Sequence, residues 1–94
     1  MNQFTTEAIN LAELVTKKQI AYGDSFGRSA KVIAVLYPDG IRREHFQDAL
    51  AVIRIIDKLF RIANQKHAFD EDPWRDIAGY ALLGVVKKQT EKNE

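Results

Sequence analysis

The residues best suited to chemistry are charged side chains in the segment RIIDKLFRIAN at residues 54–64, namely Arg54, Asp57, Lys58 and Arg61. Their spacing of i, i+3, i+4 and i+7 predicts that they share one face of a helix. One interpretation is an ion-pair ladder within that helix, in which each exposed pair contributes roughly 0.3–0.5 kcal/mol. The other is an anion site, because cations outnumber acids there and arginine can bind a phosphate through two parallel hydrogen bonds.

A second charged group lies at the start of the last predicted helix and is acidic, with Glu71, Asp72 and Asp76 following Asp70. Asp72 and Asp76 are spaced i, i+4, so they face the same way across one helical turn. Mg²⁺ prefers carboxylate oxygens, usually from one or two side chains together with waters and substrate phosphate. The sequence therefore offers a magnesium site formed by Asp57, Glu71, Asp72 and Asp76. The alternative is a capping Asp72 among acids that favour the positive end of the helix dipole.

The segment YGDSF at residues 22–26 predicts a corner between two helices. Glycine ends a helix without steric cost, and aspartate or serine caps the next one. The same corner has a functional interpretation. The aromatic ring of Tyr22 or Phe26 would stack on a base, and the Ser25 hydroxyl or the backbone N–H groups of the new helix would bind phosphate.

Four helices and no strand are expected to position these residues. The first is predicted at about residues 6–22, with Thr5 or Thr6 as its cap. The second follows the corner, and Pro38-Asp39-Gly40 predicts a turn after it. Residues 32–37 have an alternative interpretation as a short strand.

The third helix is predicted at about residues 42–65, and the fourth opens at Asp72-Pro73, where the missing N–H of proline costs nothing. Apolar residues recur along both helices at helical spacing, which predicts a core stripe on each. These residues are Phe46, Ala49/Leu50, Ile53, Ile56, Phe60 and Ala63 on the third helix and Trp74, Ile77, Ala81 and Val85 on the fourth. The expected fold is one all-α domain over residues 1–94, a small antiparallel bundle of about four helices. Its tail, at about residues 89–94, is expected to be frayed.

The composition indicates which classes of partner this chain is suited to bind. Hydrophobic residues make up 46% of its 94 residues, more than a single small bundle can bury, which predicts a homo-oligomer. The formal charge of +1 argues against a general DNA-coating protein, because such proteins need a basic surface. No segment is long and apolar enough to suggest a membrane span or a signal peptide, so a cytoplasmic location is expected.

Three short blocks of the chain resemble the nucleotide modification associated domain family of phages, whose members are described as relatives of the all-α MazG-like nucleotide pyrophosphohydrolases. The first block is the corner at residues 22–26. The second is Asp57-Lys58 with Arg61 and Asn64. The third is Glu71 with Asp76 and the segment YALL at residues 80–83.

The resemblance implies an all-α, oligomeric protein that handles nucleotides, located in the cytoplasm of an infected bacterial host. In MazG-like enzymes one helix supplies an E-x-x-E pair and the next an E-x-x-D pair, and these acids hold Mg²⁺ on a triphosphate. Here Asp57 would supply one acid, and Glu71, Asp72 and Asp76 the others. The predicted third helix carries no E-x-x-E pair, a departure that weakens the case for hydrolysis.

Two functions of different classes follow. The first is a nucleotide-binding protein whose pocket lies between subunits and that sequesters a host nucleotide signal, either linear or cyclic. Its cations Arg54, Lys58 and Arg61 would neutralise phosphates beside Tyr22, Ser25 and Phe26. The second is a Mg²⁺-dependent nucleoside triphosphate pyrophosphohydrolase, with Asp57 and Asp76 as catalytic acids. A structural oligomer or interaction adaptor, in which all the charge is solvated helix surface, is a third interpretation.

Overall fold

The protein is all-helical in its computed structural model, which describes residues 1–64 and 71–92. Helix α1 spans Gln3–Ala21, α2 Ser25–Leu36, α3 Phe46–Ala63 and α4 Pro73–Lys92, and a short 3-10 helix at Arg43–His45 precedes α3. No strand occurs in these two stretches, and α2 includes most of the segment 32–37 that had an alternative interpretation as a strand. The prediction of an all-α fold with four main helices is confirmed.

Helix α1 begins earlier than predicted. Asn2 is its N-cap, because the Oδ1 atom of Asn2 accepts a hydrogen bond from the backbone N–H of Thr5 at 2.9 Å. The Thr5 hydroxyl donates to the same Oδ1 atom, so neither Thr5 nor Thr6 has the capping role expected of it. Asparagine is at least as good a cap as threonine, and its earlier position lengthens the helix.

The other boundaries lie close to their predicted positions. Residues 38–40 form a turn, in which the Gly40 N–H donates to the Tyr37 carbonyl oxygen at 3.1 Å. Asp72 caps α4 by accepting from the Arg75 N–H at 3.2 Å, and Pro73 is its first residue, as predicted. Helix α4 continues to Lys92, over part of the predicted tail. Gln65, the predicted end of the third helix, and Asp70 lie outside the described residues.

Helices α3 and α4 pack antiparallel along a polar seam. As residue numbers rise along α3, the numbers of their partners fall along α4. Three contacts between the helices define this register: Asp48 with Lys87, Arg54 with Tyr80, and Lys58 with Asp76, each at 3.3 Å. A fourth contact, between Arg61 and Glu71, continues the seam just before α4. Because a shift of one residue would break all of them, the seam fixes the register as well as joining the helices.

The apolar core is small. Ala49 and Ile56 of the predicted α3 stripe are buried, together with Ala21, Tyr22 and Pro73. The remaining large residues predicted for the core stripes of α3 and α4 are mostly exposed, including Phe46, Leu50, Ile53, Trp74 and Val85. Neighbouring helices cover only part of the circumference of α3 and α4, so the rest of each apolar surface faces outward.

The molecule is elongated. Its principal extents are 58 × 30 × 27 Å and its radius of gyration is 17.0 Å, whereas a compact domain of this length has a radius of about 12 Å. It exposes 7651 Å² of surface, and a compact monomer of 10.7 kDa exposes about 5,500 Å². Helix α1 contributes to this excess, since residues 3–17 are all exposed.

The corner between α1 and α2 requires glycine at position 23. Gly23 has φ 63°, and Asp24 follows it in the left-handed region with φ 55°. A Cβ atom on residue 23 would lie 2.5 Å from the Nδ2 atom of Asn64. The Asn64 side chain is held in place because its Nδ2 atom donates to the Phe60 carbonyl oxygen at 2.7 Å. Position 23 is therefore restricted both by its backbone conformation and by its neighbour.

We expect Gly23→Ala to lower the free energy of unfolding by about 1–2 kcal/mol, from the left-handed conformation alone, with a further loss from the contact with Asn64. Urea unfolding measures this difference. Gly84→Ala is the matched control, because a Cβ there would have no atom within 4 Å beyond its chain neighbours and the backbone of its own helix. In the interior of α4 the same added methyl group should stabilise by up to about 1 kcal/mol. Equal unfolding midpoints for Gly23→Ala and the wild-type protein would contradict the analysis of this corner.

Candidate functional site

Arg61 lies where the corner, α3 and the start of α4 meet. Its Nη2 atom is 3.0 Å from the Oδ2 atom of Asp57, one turn earlier on α3. Its Nη1 atom binds the Oε2 atom of Glu71, just before α4. The guanidinium group also lies over the ring of Tyr22, 4.4 Å from the ring centroid. The side chain is only 15% exposed, so these three contacts replace most of its water.

Two hydroxyl groups complete this arrangement. The Tyr22 hydroxyl is 3.0 Å from Oε2 of Glu71, and the Ser25 hydroxyl is 3.1 Å from Oδ1 of Asp57. Since an ionised carboxylate only accepts, both hydroxyls donate. Tyr22 and Ser25 are buried. We call these five residues, Tyr22, Ser25, Asp57, Arg61 and Glu71, the Arg61 cluster. It joins three separate segments of the chain through a continuous set of charged and polar contacts.

The other two cations predicted to bind phosphate also contact α4. The Nζ atom of Lys58 is 3.3 Å from Oδ2 of Asp76. Arg54 donates to the Tyr80 hydroxyl at 3.3 Å and lies 5.9 Å from the centroid of its ring. The hydrogen bond to the Tyr80 hydroxyl raises the pKa of Arg54. Of the three predicted cations, Arg54 is the one held by a neutral group.

The ladder of ion pairs predicted for residues 54–61 is therefore present only in part within α3, and the other contacts of these residues cross to α4. Arg61 and Asp57 form the expected pair within α3. Lys58, by contrast, pairs with an acid of α4, and Arg54 contacts a tyrosine of α4. The sequence shows which side chains share a face of α3, but it does not show which residues of α4 lie opposite them.

The predicted magnesium ligands occupy different places. Glu71 binds Arg61, Asp76 binds Lys58, and Asp72 caps α4. Within residues 1–64 and 71–92, no group of three or more acidic or histidine side chains is arranged to hold a metal ion. Asp57 and Glu71 nevertheless approach the same guanidinium group from different segments. Magnesium binding by these acids stays a prediction.

The two aromatic rings of the corner differ in their accessibility. Tyr22 is buried under Arg61, so its ring is covered on the face that a base would use. Phe26, in the first turn of α2, is 90% exposed. Of the two residues predicted to stack on a base, Phe26 is therefore the one available in this structure.

Three residues that support the corner have contacts that the sequence did not reveal. The Nε2 atom of Gln19 donates to Oδ1 of Asp24 at 2.7 Å, and Asn64 packs against Gly23. The Nη1 atom of Arg28 is 3.4 Å from the Gly23 carbonyl oxygen, and its guanidinium group lies 5.6 Å from the Phe60 ring. Asn64 belongs to the second block of the resemblance, whereas no signal in the sequence singled out Gln19 or Arg28.

Comparisons of the chain with models of protein families, with curated proteins and with solved structures found no match. Among the helices that the structure describes, none is long and apolar enough to cross a membrane. The function of the site is therefore argued from its own side chains.

Replacing Arg61 should cost more than replacing a cation that pairs with two exposed acids. In Arg61→Met, Asp57 and Glu71 lose their shared partner in a largely buried site, and we expect a loss of about 2 kcal/mol. Lys87 is half-buried and also pairs with two acids, but both of these, Asp48 and Glu91, are exposed, so Lys87→Met should cost at most about 1 kcal/mol. Urea unfolding of both variants measures the difference. Equal losses would contradict the larger contribution expected of the Arg61 cluster.

The Asp24 carboxylate should make the stability of the folded protein depend on pH in the acidic range. The hydrogen bond from Gln19, and then that from the Gly27 N–H at 3.1 Å, lower the pKa of Asp24 in the folded protein. A lowered pKa means that its contribution is fully present above the unfolded-state pKa of about 4 and is lost as pH falls through the folded value. Asp24→Asn keeps a residue that caps helices and tolerates the left-handed region.

Wild-type protein should therefore lose stability relative to Asp24→Asn as pH falls below about 4. The difference between their thermal unfolding midpoints, followed from neutral to acidic pH, measures this effect. A difference that stays constant with pH would contradict the assignment.

Proposed function

We propose that this protein is a nucleotide-binding homo-oligomer that holds a phosphorylated nucleotide in a pocket between its copies. The observation that carries the proposal is the exposed ring of Phe26 on a firmly held corner. Asp24 caps the helix on which Phe26 lies, and the Arg61 cluster fixes the residues on both sides. Stacking of a base on an aromatic side chain contributes about 1–3 kcal/mol and needs such an accessible, oriented ring.

Cations near this ring support a phosphorylated ligand. Arg28 and Lys31 follow Phe26 on α2, and both are close enough to Asp24 to help lower its pKa. Farther along α3, Arg54 is held by the Tyr80 hydroxyl and ring, and no ion pair to it is found among the described residues. Arg61 acts indirectly, since it is engaged by Asp57 and Glu71 and positions the corner rather than offering its charge to a ligand.

The exposed surface supports an oligomer. The chain exposes 7651 Å², which is roughly 2,000 Å² more than a compact monomer of this mass. Large apolar side chains on α1, α3 and α4 contribute to it, among them Phe4, Leu11, Leu50, Leu82 and Leu83. Burial of such surface between copies would create clefts that one copy lacks. A phage protein of this kind, abundant in the host cytoplasm, would sequester a nucleotide signal, including a cyclic one, without turnover.

A second candidate function, Mg²⁺-dependent nucleoside triphosphate pyrophosphohydrolysis, is favoured by one observation. Asp57 and Glu71 approach the same guanidinium group, so a cation bound in place of that group would have two carboxylates available. With Asp76 nearby in sequence, bound Mg²⁺ would polarise a phosphate and lower the pKa of a water molecule. Arg61 and Lys58 would first have to release these acids, which is why binding is our first proposal.

A panel of linear and cyclic nucleotides tests both functions. The purified protein is incubated with the panel and Mg²⁺, and the protein-bound and free fractions are analysed by mass spectrometry. We expect an intact nucleotide to be recovered from the denatured protein. Phe26→Ala should weaken its binding by roughly five- to 150-fold, the equivalent of losing one stacked base. Phe46→Ala, which removes another exposed ring at the start of α3, is the matched control and should bind normally.

Two other results would favour a different function. Conversion of a triphosphate to monophosphate and pyrophosphate, abolished in Asp76→Ala, would establish the hydrolase instead. Failure of every nucleotide to bind more tightly than about 1 mM, or ~−4 kcal/mol, without turnover would overturn the proposal and favour an adaptor.

A further inference from the structure

A cleft lies between α3 and α4, on the part of their seam beyond the Arg61 cluster. Its volume is about 390 Å³, and small-molecule sites usually have volumes of about 300–1,000 Å³. Its walls come from residues within 47–51 of α3 and 80–87 of α4. None of these residues belongs to the corner or to the Arg61 cluster, so the nucleotide site proposed above does not account for the cleft.

Two contacts of the seam bound the cleft. Arg54 meets Tyr80 at one end, and Asp48 meets Lys87 at the other, each across 3.3 Å. Between these contacts α4 carries Gly84, which has no side chain. A Cβ at this position would meet no atom of the described residues within 4 Å beyond its chain neighbours and its own helix. The space between the two contacts is therefore left open by the chain itself.

The walls of the cleft are mainly apolar. Ala51 lies on the α3 side, and Leu83 and Val86 lie on the α4 side. Because Leu83 and Val86 are both more than half exposed, the cleft can be reached from the surface. An apolar body lying in the cleft would remove these side chains from water, and burial of that kind is favourable in proportion to the area covered.

The charges at the two ends of the cleft differ. Arg54 follows Ala51 by one turn on the same face of α3, and no ion pair to Arg54 is found in the parts of the chain that the structure describes. Its contact is the hydroxyl of Tyr80. At the other end Lys87 is paired with Asp48. A ligand with one negative charge, placed beside Arg54, complements this arrangement, whereas a second negative charge would approach Asp48.

We propose that this cleft binds a small monocarboxylate, with the carboxylate on Arg54 and the apolar body between α3 and α4. Arginine can bind a carboxylate through two parallel hydrogen bonds. From Tyr80 to Lys87 the helix rises by about 10 Å, which suits the apolar body of a medium-chain or aryl-alkyl acid. The inference goes beyond nucleotide binding and does not depend on it, because Phe26 is not part of the cleft.

Two matched probes test this proposal. 4-Phenylbutyrate and its neutral amide, 4-phenylbutyramide, share one apolar body and differ in charge. Each is titrated into the full chain labelled with nitrogen-15, and amide chemical shifts in two-dimensional NMR spectra report both the site and the Kd. We expect saturable shifts at residues 47–54 and 80–87, with a Kd for the acid below about 1 mM. The amide should bind roughly two- to fivefold more weakly, as for the loss of one exposed ion pair.

Three variants separate the parts of the site. In Arg54→Gln the acid and the amide should bind equally, because the charge that distinguishes them is gone. Gly84→Leu fills the cleft and should weaken the binding of both probes by at least about tenfold, through the lost apolar contact. Gly79→Leu is the matched control on the same helix. A Cβ there also meets no described atom within 4 Å beyond its neighbours, and residue 79 does not line the cleft, so binding should be normal.

Several outcomes would overturn the proposal. Equal binding of the acid and the amide to the wild-type protein would remove the role of Arg54. Unchanged binding in Gly84→Leu, or shifts spread over α1 and α2 instead of the cleft, would place the probes elsewhere. Absence of saturable binding of the acid would also overturn it, and a lower molar mass of Gly84→Leu than of the wild-type protein would then identify a second copy as the occupant of the cleft.

These outcomes are distinct from those of the nucleotide panel. Phe26→Ala should bind 4-phenylbutyrate as the wild-type protein does, whatever its effect on nucleotides. A loss of acid binding in Phe26→Ala would show that the cleft is not a separate site and would contradict the inference.

Discussion

The described fold depends on the sharing of one guanidinium group by side chains from three segments of the chain. Arg61 binds Asp57 on its own helix and Glu71 before α4, and it covers the ring of Tyr22 at the end of α1. A charge removed from water is tolerated only when it is paired and hydrogen-bonded. Each member of the cluster therefore needs the others in place, so the cluster sets the positions of α3, α4 and the corner together. Because few apolar residues are buried, this polar network has an unusually large share in defining the fold.

The features that were predictable from the sequence are those determined by neighbouring residues. The corner at residues 22–26, the turn at 38–40 and the start of α4 at Asp72-Pro73 each follow from side chains that act on their own backbone. Contacts between distant segments were not predictable in this way. The hydrogen bond between Tyr22 and Glu71 joins residues 49 positions apart, and helical periodicity gives no information about such a pairing. This is why Tyr22 was expected to stack on a base although it is buried under Arg61.

The apolar stripes also show how little the sequence reveals about contacts between distant segments. Periodicity correctly predicted that Ala49 and Ile56 lie on the inner face of α3, but the same stripe includes Phe46, Leu50 and Ile53, which are exposed. A stripe identifies residues that favour burial, and it does not identify the surface that buries them. The composition predicted an excess of apolar groups over what one bundle can hide. The structure locates much of that excess on α1 and on the outward surfaces of α3 and α4.

The contacts of the Arg61 cluster also restrict the freedom of the corner that carries Phe26. Binding affinity depends on how much freedom a site loses when its ligand arrives, and a preorganised site loses less. The Arg61 cluster and Asn64 fix the corner from the side of α3 and α4. The exposed ring of Phe26 is therefore held in place before any ligand arrives, so it loses little freedom when it binds one.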